Sequence, residues 1–402
     1  MSFFAGWLTG ELALHHIAFQ VLLASVFLHF GVVETLPGRI GLGIMLLAWL
    51  GLALAHMQSR RAGKVVEAAL AGGLGSDYEA EIAPDLRPRL SWEIPVRHVI
   101  QPFPLGHPEV ERIRDVVYHR VRGLNLRLDL YRHRDHPENC PILVEIHGGG
   151  WVIGSKNQQG LPLMYRMAAQ GWLCVNVNYR LSPHATFPEH LIDLKEAVRW
   201  IREHAAAYGG DPGFLATTGE SAGGHLSSLM ALTGNDPEYQ PGFESADTSI
   251  QAALSFYGVY DFLDVQRYWR HDRMARLLEH HVMKASMAEA TEAYRKASPL
   301  WRVHSDAPPF FVIHGDHDTM VPVAQARDFV RVLREVSRNP VVYAEIPGAQ
   351  HAFEIFYSLR TLYVLAGVER FLFWVWSRHR ARRSGEEVGQ AGVVHPPLEE
   401  EG

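Results

Sequence analysis

The chain has 402 residues, 47% hydrophobic and 20% charged, a composition that excludes a disordered or collagen-like protein. Its 38 Lys and Arg against 44 Asp and Glu leave a net charge of −6, which argues against a general nucleic-acid binder, since such proteins need excess cations to displace phosphate counterions. The 23 His form no HExxH motif and the two Cys, Cys140 and Cys174, no CxxC, so no metal, disulfide framework or organic cofactor is expected.

Apolar content is concentrated at the start of the chain. Leu12 to Val33 carries no charge, although it contains His15, His16, Gln20 and His29, and residues 40–55 read IGLGIMLLAWLGLALA. A helix rises about 1.5 Å per residue, so these segments predict a membrane-anchoring helical hairpin over 1–57, turning at Glu34–Arg39 where Pro37-Gly38 supplies the break. The alternative is a pair of buried helices in a soluble cap. A cleaved signal peptide is disfavoured, because no charged side chain precedes Glu11. Arg60, Arg61 and Lys64 follow the second segment while Lys and Arg are absent before the first. The positive-inside rule then places everything downstream in the cytoplasm, even if only the second segment spans. On this reading residues 1–57 hold no catalytic group, and their removal leaves activity on short soluble esters.

Residues 58–114 predict a connector. The run KVVEAALA (Lys64 to Ala71) suggests a short helix ended by Gly72-Gly73, after which six prolines between Pro84 and Pro108 impose an extended path. Residues 378–402 pass from RHRARR to EEEG and predict a disordered charged tail.

Between them, residues 115–377 alternate short apolar runs with helical segments. Asp115–His119 and Asn125–Arg132 predict a hairpin, followed by strands at 142–146, 173–177, 214–218, 252–256, 310–314 and 341–345. Continuous apolar strands separated by helices imply an α/β fold with a mostly parallel eight-stranded sheet covered on both faces. Ligands in such sheets sit beyond the carboxyl ends of the strands.

Chemistry-bearing residues follow four of these strands. After 214–218 comes Gly219-Glu220-Ser221-Ala222-Gly223, the G-x-S-x-G pattern in strand–turn–helix context, which exposes Ser221 as a nucleophile. A serine hydroxyl needs a His to take its proton, and that His needs a carboxylate to orient it. Asp316 and Asp318 both follow strand 310–314; Asp316 sits where a turn cap is expected, and Asp318 is favoured. His351 follows the last strand on a Gly-containing loop. After 142–146, Gly148, Gly149 and Gly150 offer backbone N–H groups that, with that of Ala222, suit an oxyanion hole. No G-x-x-x-x-G-K-[ST] or helix-opening G-x-G-x-x-G supports nucleotide binding instead.

As a set, HGGGW (147–151), NYRLSP (178–183), GESAGG (219–224), HGDHDTMVP (314–322) and QHAF (350–353) resemble the α/β-hydrolase superfamily, in particular bacterial esterases and lipases related to hormone-sensitive lipase. The run LDLYR (128–132) resembles the entry strand of feruloyl-esterase-like members. The resemblance implies Ser221 as nucleophile, His351 as general base and acid and Asp318 as its orienting acid. It also implies Gly149 and Ala222 as oxyanion donors, joined by Gly148 or Gly150.

Lesser features complete the reading. Glu220 is expected to anchor a neighbouring loop, and Asn178-Tyr179-Arg180 to brace the glycine loop. Residues 262–296 suggest a helical lid. Trp151, Tyr257, Tyr260 and Phe262 are candidate pocket walls, with plain core packing as the alternative, and FLFWVW (371–376) suits the sheet first and a bilayer second. The function implied is a membrane-anchored serine carboxylesterase or lipase acting on small-molecule or lipid esters through an acyl-enzyme. Acyl transfer or arylformamide-type amide hydrolysis would use the same triad, and a non-catalytic hydrolase-fold receptor or scaffold is the rival from another class.

Overall fold

The computed structural model describes residues 2–104 and 106–385. Its centre is an eight-stranded sheet of β1 (Val110–Val121), β2 (Leu124–His133), β3 (Cys140–Ile146), β4 (Leu173–Val177), β5 (Gly210–Gly219), β6 (Ala252–Phe256), β7 (Phe310–Gly315) and β8 (Val341–Ile346). The spatial order is β1-β2-β4-β3-β5-β6-β7-β8, antiparallel from β1 to β4 and parallel from β4 to β8. The first hairpin closes through Arg122 and Gly123, both with positive φ (48° and 78°), the two-residue turn whose twist matches paired strands.

Side chains along each central strand alternate between two buried layers. Ile142, Val144 and Ile146 of β3 pack with the helices Glu189–His204 and Ala222–Leu232, whereas Leu143 packs on the opposite face. Chain order reverses at β3: β4 lies on one side of it and β5 on the other. The crevice beyond β3 and β5 is therefore the topological switch point at which α/β sheets bind ligands.

The opposite layer explains two features of the sequence. The stretch FLFWVW of the C-terminal helix, Leu359–Ser384, is buried inside the protein, where residues 79–83 lie against it: the Trp374 indole donates to Glu81 at 3.1 Å and the Ser377 hydroxyl accepts from the Ala83 N–H at 2.8 Å. The helix α4 (Arg61–Leu74) follows three N-terminal helices, α1 (Ser2–Glu11), α2 (Ala13–His29) and α3 (Leu36–Ser59). Its buried face, Ala62, Val66, Leu70 and Leu74, repeats at helical spacing. Close approach is built into it: a Cβ on Gly367 would lie 2.1 Å from Val66, and one on Gly73 would lie 2.8 Å from Val342 of β8.

Several expectations shift accordingly. Gly72-Gly73 do not end the helix, which stops at Leu74 with Gly75 (φ 102°) after it, so the first part of the connector is a core layer. Pro37-Gly38 do not break a helix either. They open α3, where the Thr35 hydroxyl accepts from the Gly38 N–H at 3.2 Å, and proline is tolerated because first-turn N–H groups have no intrahelical acceptor. The first strand begins at Val110, ahead of Asp115, and the helix runs through RHRARR to Ser384; the rest of the expected tail lies outside the described residues. Among the described residues one helical stretch, Leu36–Leu74, is long and apolar enough to cross a membrane, and no residue of its apolar window is buried. Before it, α1 and α2 meet at an 87° bend, and α1 packs against the loop after β8. The segment expected as a lid forms short helices at Arg273–Leu277 and Thr291–Lys296, with Leu278, Val282 and Tyr294 buried in the core.

Candidate active site

The end of β5 delivers Ser221 on a sharp turn with φ 57° and ψ −115°, a backbone conformation that side chains rarely adopt. The flanking glycines make this turn possible. A Cβ at Gly219 would sit 2.4 Å from the Gly223 carbonyl oxygen, and one at Gly223 would sit 1.8 Å from that of Ile146. The helix Ala222–Leu232 starts immediately afterwards, and its positive N-terminal end faces the crevice.

The loops after β7 and β8 bring the other two groups to the same rim. His351 Nε2 lies 2.9 Å from Ser221 Oγ, and His351 Nδ1 lies 2.6 Å from Asp318 Oδ2. Asp318 Oδ1 accepts from the N–H groups of Met320 and Val321 at 2.8 and 2.9 Å. Burial pushes the Asp318 carboxyl up, but the His351 charge and hydrogen bonds from His314 and His351 outweigh it and hold it well below the usual carboxylate range. Asp316 is used differently: its Oδ1 accepts from the Gly348 N–H at 2.6 Å and contacts exposed His317.

The glycine loop lies against the nucleophile, with the Gly148 Cβ position 3.2 Å from Ser221 Cβ. Gly149 (φ 107°) and Gly150 (φ 59°) turn the backbone tightly. Among the described residues the N–H groups of Gly149, Gly150 and Ala222 have no protein acceptor. Gly148 differs: its N–H donates to Gln159 Oε1 at 2.7 Å, which removes it from the expected oxyanion donors. Bracing comes from Tyr179, which stacks on His147 and donates its hydroxyl to the His147 carbonyl at 3.0 Å. Arg180 holds that segment down through Asp193, and the Asn178 side chain accepts from the Lys156 N–H at 2.8 Å.

The expected pocket aromatics are core residues. The Trp151 indole donates to His225 Nδ1 at 3.2 Å, and His225 Nε2 donates to the Ala297 carbonyl at 2.7 Å; burial lowers the His225 imidazole to about 3, consistent with this neutral tautomer. Phe262 stacks on His225, and Tyr260 stacks on Phe329 with its hydroxyl on Ser255. All three are fully buried, so they join the glycine loop to the nucleophile helix from behind and do not wall an open pocket. Tyr257 is also buried, but its ring lies 4.4 Å from that of His351 and its hydroxyl bonds Glu354.

Sequence reasoning missed a buried acidic cluster behind the triad. Glu145 at the end of β3 faces Glu220, and Glu354 follows His351 on the next turn; burial pushes all three carboxyls up, to about 8 for Glu145 and about 7 for Glu354. Glu220 thus meets Glu145 where loop anchoring was expected. The available signal was a lone Glu inside the apolar run ILVEI. Sequence reasoning also missed α1. Phe3 approaches His351 at 6.3 Å between ring centres, Trp7 stacks on Phe356, and the Trp7 indole donates to the Ala352 carbonyl at 2.7 Å.

A strand–turn–helix serine, a His and Asp on successive later loops and a glycine turn after β3 define an α/β-hydrolase. A family profile for BD-FAE matches residues 128–333, and the chain belongs to this family. Curated relatives include the probable carboxylic ester hydrolase LipM of Mycobacterium tuberculosis, 49% identical over 70% of this chain and 64% of that protein. Esterase LipQ of the same organism is 40% identical over 84% of this chain and 80% of its own length. The chain thus spans just under two thirds of LipM. Among solved structures, a truncated carbohydrate esterase from gut microbiota shares the fold, with a TM-score of 0.57 over 67% of this chain and 99% of that one at 21% identity. Thermogutta terrifontis esterase 2, phosphonylated by sarin, is 26% identical with a TM-score of 0.52, covering 62% of this chain and 88% of that one.

Proposed function

We propose that the protein is a membrane-attached serine carboxylesterase that hydrolyses carboxylic esters through an acyl-enzyme. The observation that carries the reading is the continuous relay from Ser221 Oγ to His351 Nε2 at 2.9 Å and from His351 Nδ1 to Asp318 at 2.6 Å. Ser221 attacks the ester carbonyl as His351 Nε2 takes its proton, and Asp318 accepts from Nδ1–H, which fixes the tautomer and stabilises the imidazolium. The N–H groups of Gly149, Gly150 and Ala222 receive the developing oxyanion. His351 then protonates the leaving alcohol, and water, deprotonated by the same imidazole, releases the acid. The names of LipM and LipQ support ester hydrolysis as the overall reaction.

Membrane attachment follows from exposure and connectivity. Phe19, Leu22 and Phe27 of α2 and Ile44, Leu47 and Leu50 of α3 are exposed apolar side chains. Both ends of this segment dock on the hydrolase fold, α1 through Trp7 and α4 through the sheet, so the chain between them crosses a bilayer an even number of times. A hairpin of α2 and α3 satisfies this, whereas a single span by α3 would separate α1 from His351. The Gln20 side chain, polar in an apolar helix, accepts from the Trp49 indole across the pair at 3.0 Å. Arg60, Arg61 and Lys64 favour a cytoplasmic catalytic domain.

The test is labelling with a fluorophosphonate probe, together with hydrolysis of p-nitrophenyl esters. Wild type should be labelled and active, and Ser221→Ala neither; an active, labelled Ser221→Ala variant would overturn the reading. Thermogutta terrifontis esterase 2 reacts with sarin, a related phosphonylating agent.

A further inference from the structure

We infer that the cavity between the N-terminal helices and the loops carrying Asp318 and His351 holds the hydrocarbon chain of a bilayer-dissolved ester as its carbonyl is presented to Ser221. This deepens the ester-hydrolase reading and rests on it. The cavity measures about 560 Å³, within the range of small-molecule sites. Gly6 and Gly10 of α1 and Gly51 and Ala55 of α3 form one side, and Thr319 and Gln350 form part of the other.

The lining combines small and apolar residues with polar ones, Gln20, Gln58 and Arg360 among them. On the α3 wall small residues leave room: a Cβ on Gly51 would meet no atom within 4 Å. The outer face of the same helix carries exposed Leu50 and Leu54, so the helix that lines the cavity also carries the surface proposed to contact acyl chains. The opposite wall belongs to the reaction centre. Gln350 Oε1 accepts from the Thr319 N–H at 2.7 Å and from the His351 N–H at 3.0 Å, joining the loops that carry Asp318 and His351.

Helix α1 links cavity and triad. Phe3 and Trp7, four residues apart, form the stripe that meets His351 and Phe356. Gly6 and Gly10, likewise four apart, form the adjoining stripe that borders the cavity. A chain lying in this notch has one end against the α3 wall and the other beside Gln350, the residue that precedes His351 in the chain. A short water-soluble ester needs none of this surface, so the arrangement favours a long-chain ester taken from the bilayer.

The experiment uses the full chain reconstituted in phosphatidylcholine vesicles, with p-nitrophenyl palmitate or p-nitrophenyl butyrate as substrate. The readout is the ratio of kcat/KM for palmitate to that for butyrate. Gly51→Leu should lower this ratio about ten-fold or more by filling the cavity. Leu50→Ala, on the opposite face of α3, should leave it near the wild-type value. Ala55→Leu makes the same test if the Gly51 variant does not fold. An unchanged ratio in the cavity-filling variants, or an equal fall in Leu50→Ala, overturns the inference while leaving the esterase reading intact. Failure of the wild-type protein to hydrolyse either ester would instead remove the reading beneath it.

Discussion

The indole of Trp7 donates a hydrogen bond to the carbonyl of Ala352 at 2.7 Å, tying the first helix of the chain to the residue after His351. The attachment is reinforced by Glu11, whose carboxylate meets the Arg360 guanidinium at 3.1 Å and accepts from the Ser358 hydroxyl at 2.6 Å. Both charged side chains are 1% exposed, so neither is solvated without the other. Removing one partner of such a pair typically costs about 3–5 kcal/mol, because the remaining charge stays buried. Glu11→Gln should therefore lower unfolding stability by roughly 3 kcal/mol in denaturant melts.

The same contacts reverse the expectation for residues 1–57. Their deletion strips Phe3 from His351 and Trp7 from Phe356 and leaves Arg360 unpaired. The truncated chain should be less stable and should lose about ten-fold or more of its activity on p-nitrophenyl butyrate, as expected when a base held by packing is misplaced. Wild-type kinetics and melting in the truncated chain would show that α1 only covers the site.

The two neighbouring carboxylates of the loop after β7 make opposite predictions. Asp318→Asn removes the acceptor that fixes the His351 tautomer and should lower kcat by about 10⁴ with little change in KM. Asp316 touches the Gly348 N–H and exposed His317, so Asp316→Asn should leave kcat within about three-fold of wild type, the amide oxygen keeping the Gly348 bond. Steady-state kinetics of the two variants decide which carboxylate serves His351.

Glu145 predicts a pH dependence of stability. Burial raises its carboxyl from an ordinary 4.5 to about 8, so the folded state holds a proton that the unfolded chain releases. A group raised in this way stabilises fully below its unfolded pKa, and the contribution is lost as pH rises through the folded value. Stability should thus fall between about pH 4.5 and 8, by up to ~1.4 kcal/mol per pH unit for each such proton. Glu220 and Glu354 share the cluster and are shifted in the same direction. Glu145→Gln should flatten this decline in urea melts at about pH 5 and pH 8, and an unchanged slope would place the linked proton elsewhere.

What the sequence made legible was local. The six strands β3 to β8 were visible as short apolar runs and the first hairpin by its alternation, and strand ends indicated where Ser221, Asp318 and His351 would be found. The misreadings share a cause, which is contact between parts of the chain far apart in sequence. FLFWVW is buried all round because residues 79–83 pack against it, and those residues lie in the stretch that its prolines suggested was a connector. Gly148 shares its motif with Gly149 and Gly150, yet only folding brings Gln159 to its N–H. The docking of α1 on the His351 loop joins positions more than 300 residues apart, and no periodicity reports such a contact.

The glycines of the nucleophile turn give a test in which geometry opposes helix propensity. Ala is favoured over Gly inside a helix by about 1 kcal/mol, and on propensity alone Gly223→Ala should stabilise the helix that begins at Ala222. A Cβ at position 223 would, however, lie 1.8 Å from the Ile146 carbonyl oxygen and 2.9 Å from the His147 carbonyl carbon, both backbone atoms of the segment leading into the glycine loop. Neither can rotate away as a side chain would, so relief requires the helix start to move off β3, carrying the Ala222 N–H and Ser221 with it. Gly51→Ala has the same intrinsic gain and no atom within 4 Å of the new Cβ. The expected pair of outcomes is a loss of more than about 2 kcal/mol and of most esterase activity in Gly223→Ala, against stability equal to or above wild type in Gly51→Ala. Equal melting curves for the two variants would mean that the backbone of the nucleophile turn is looser than these distances require.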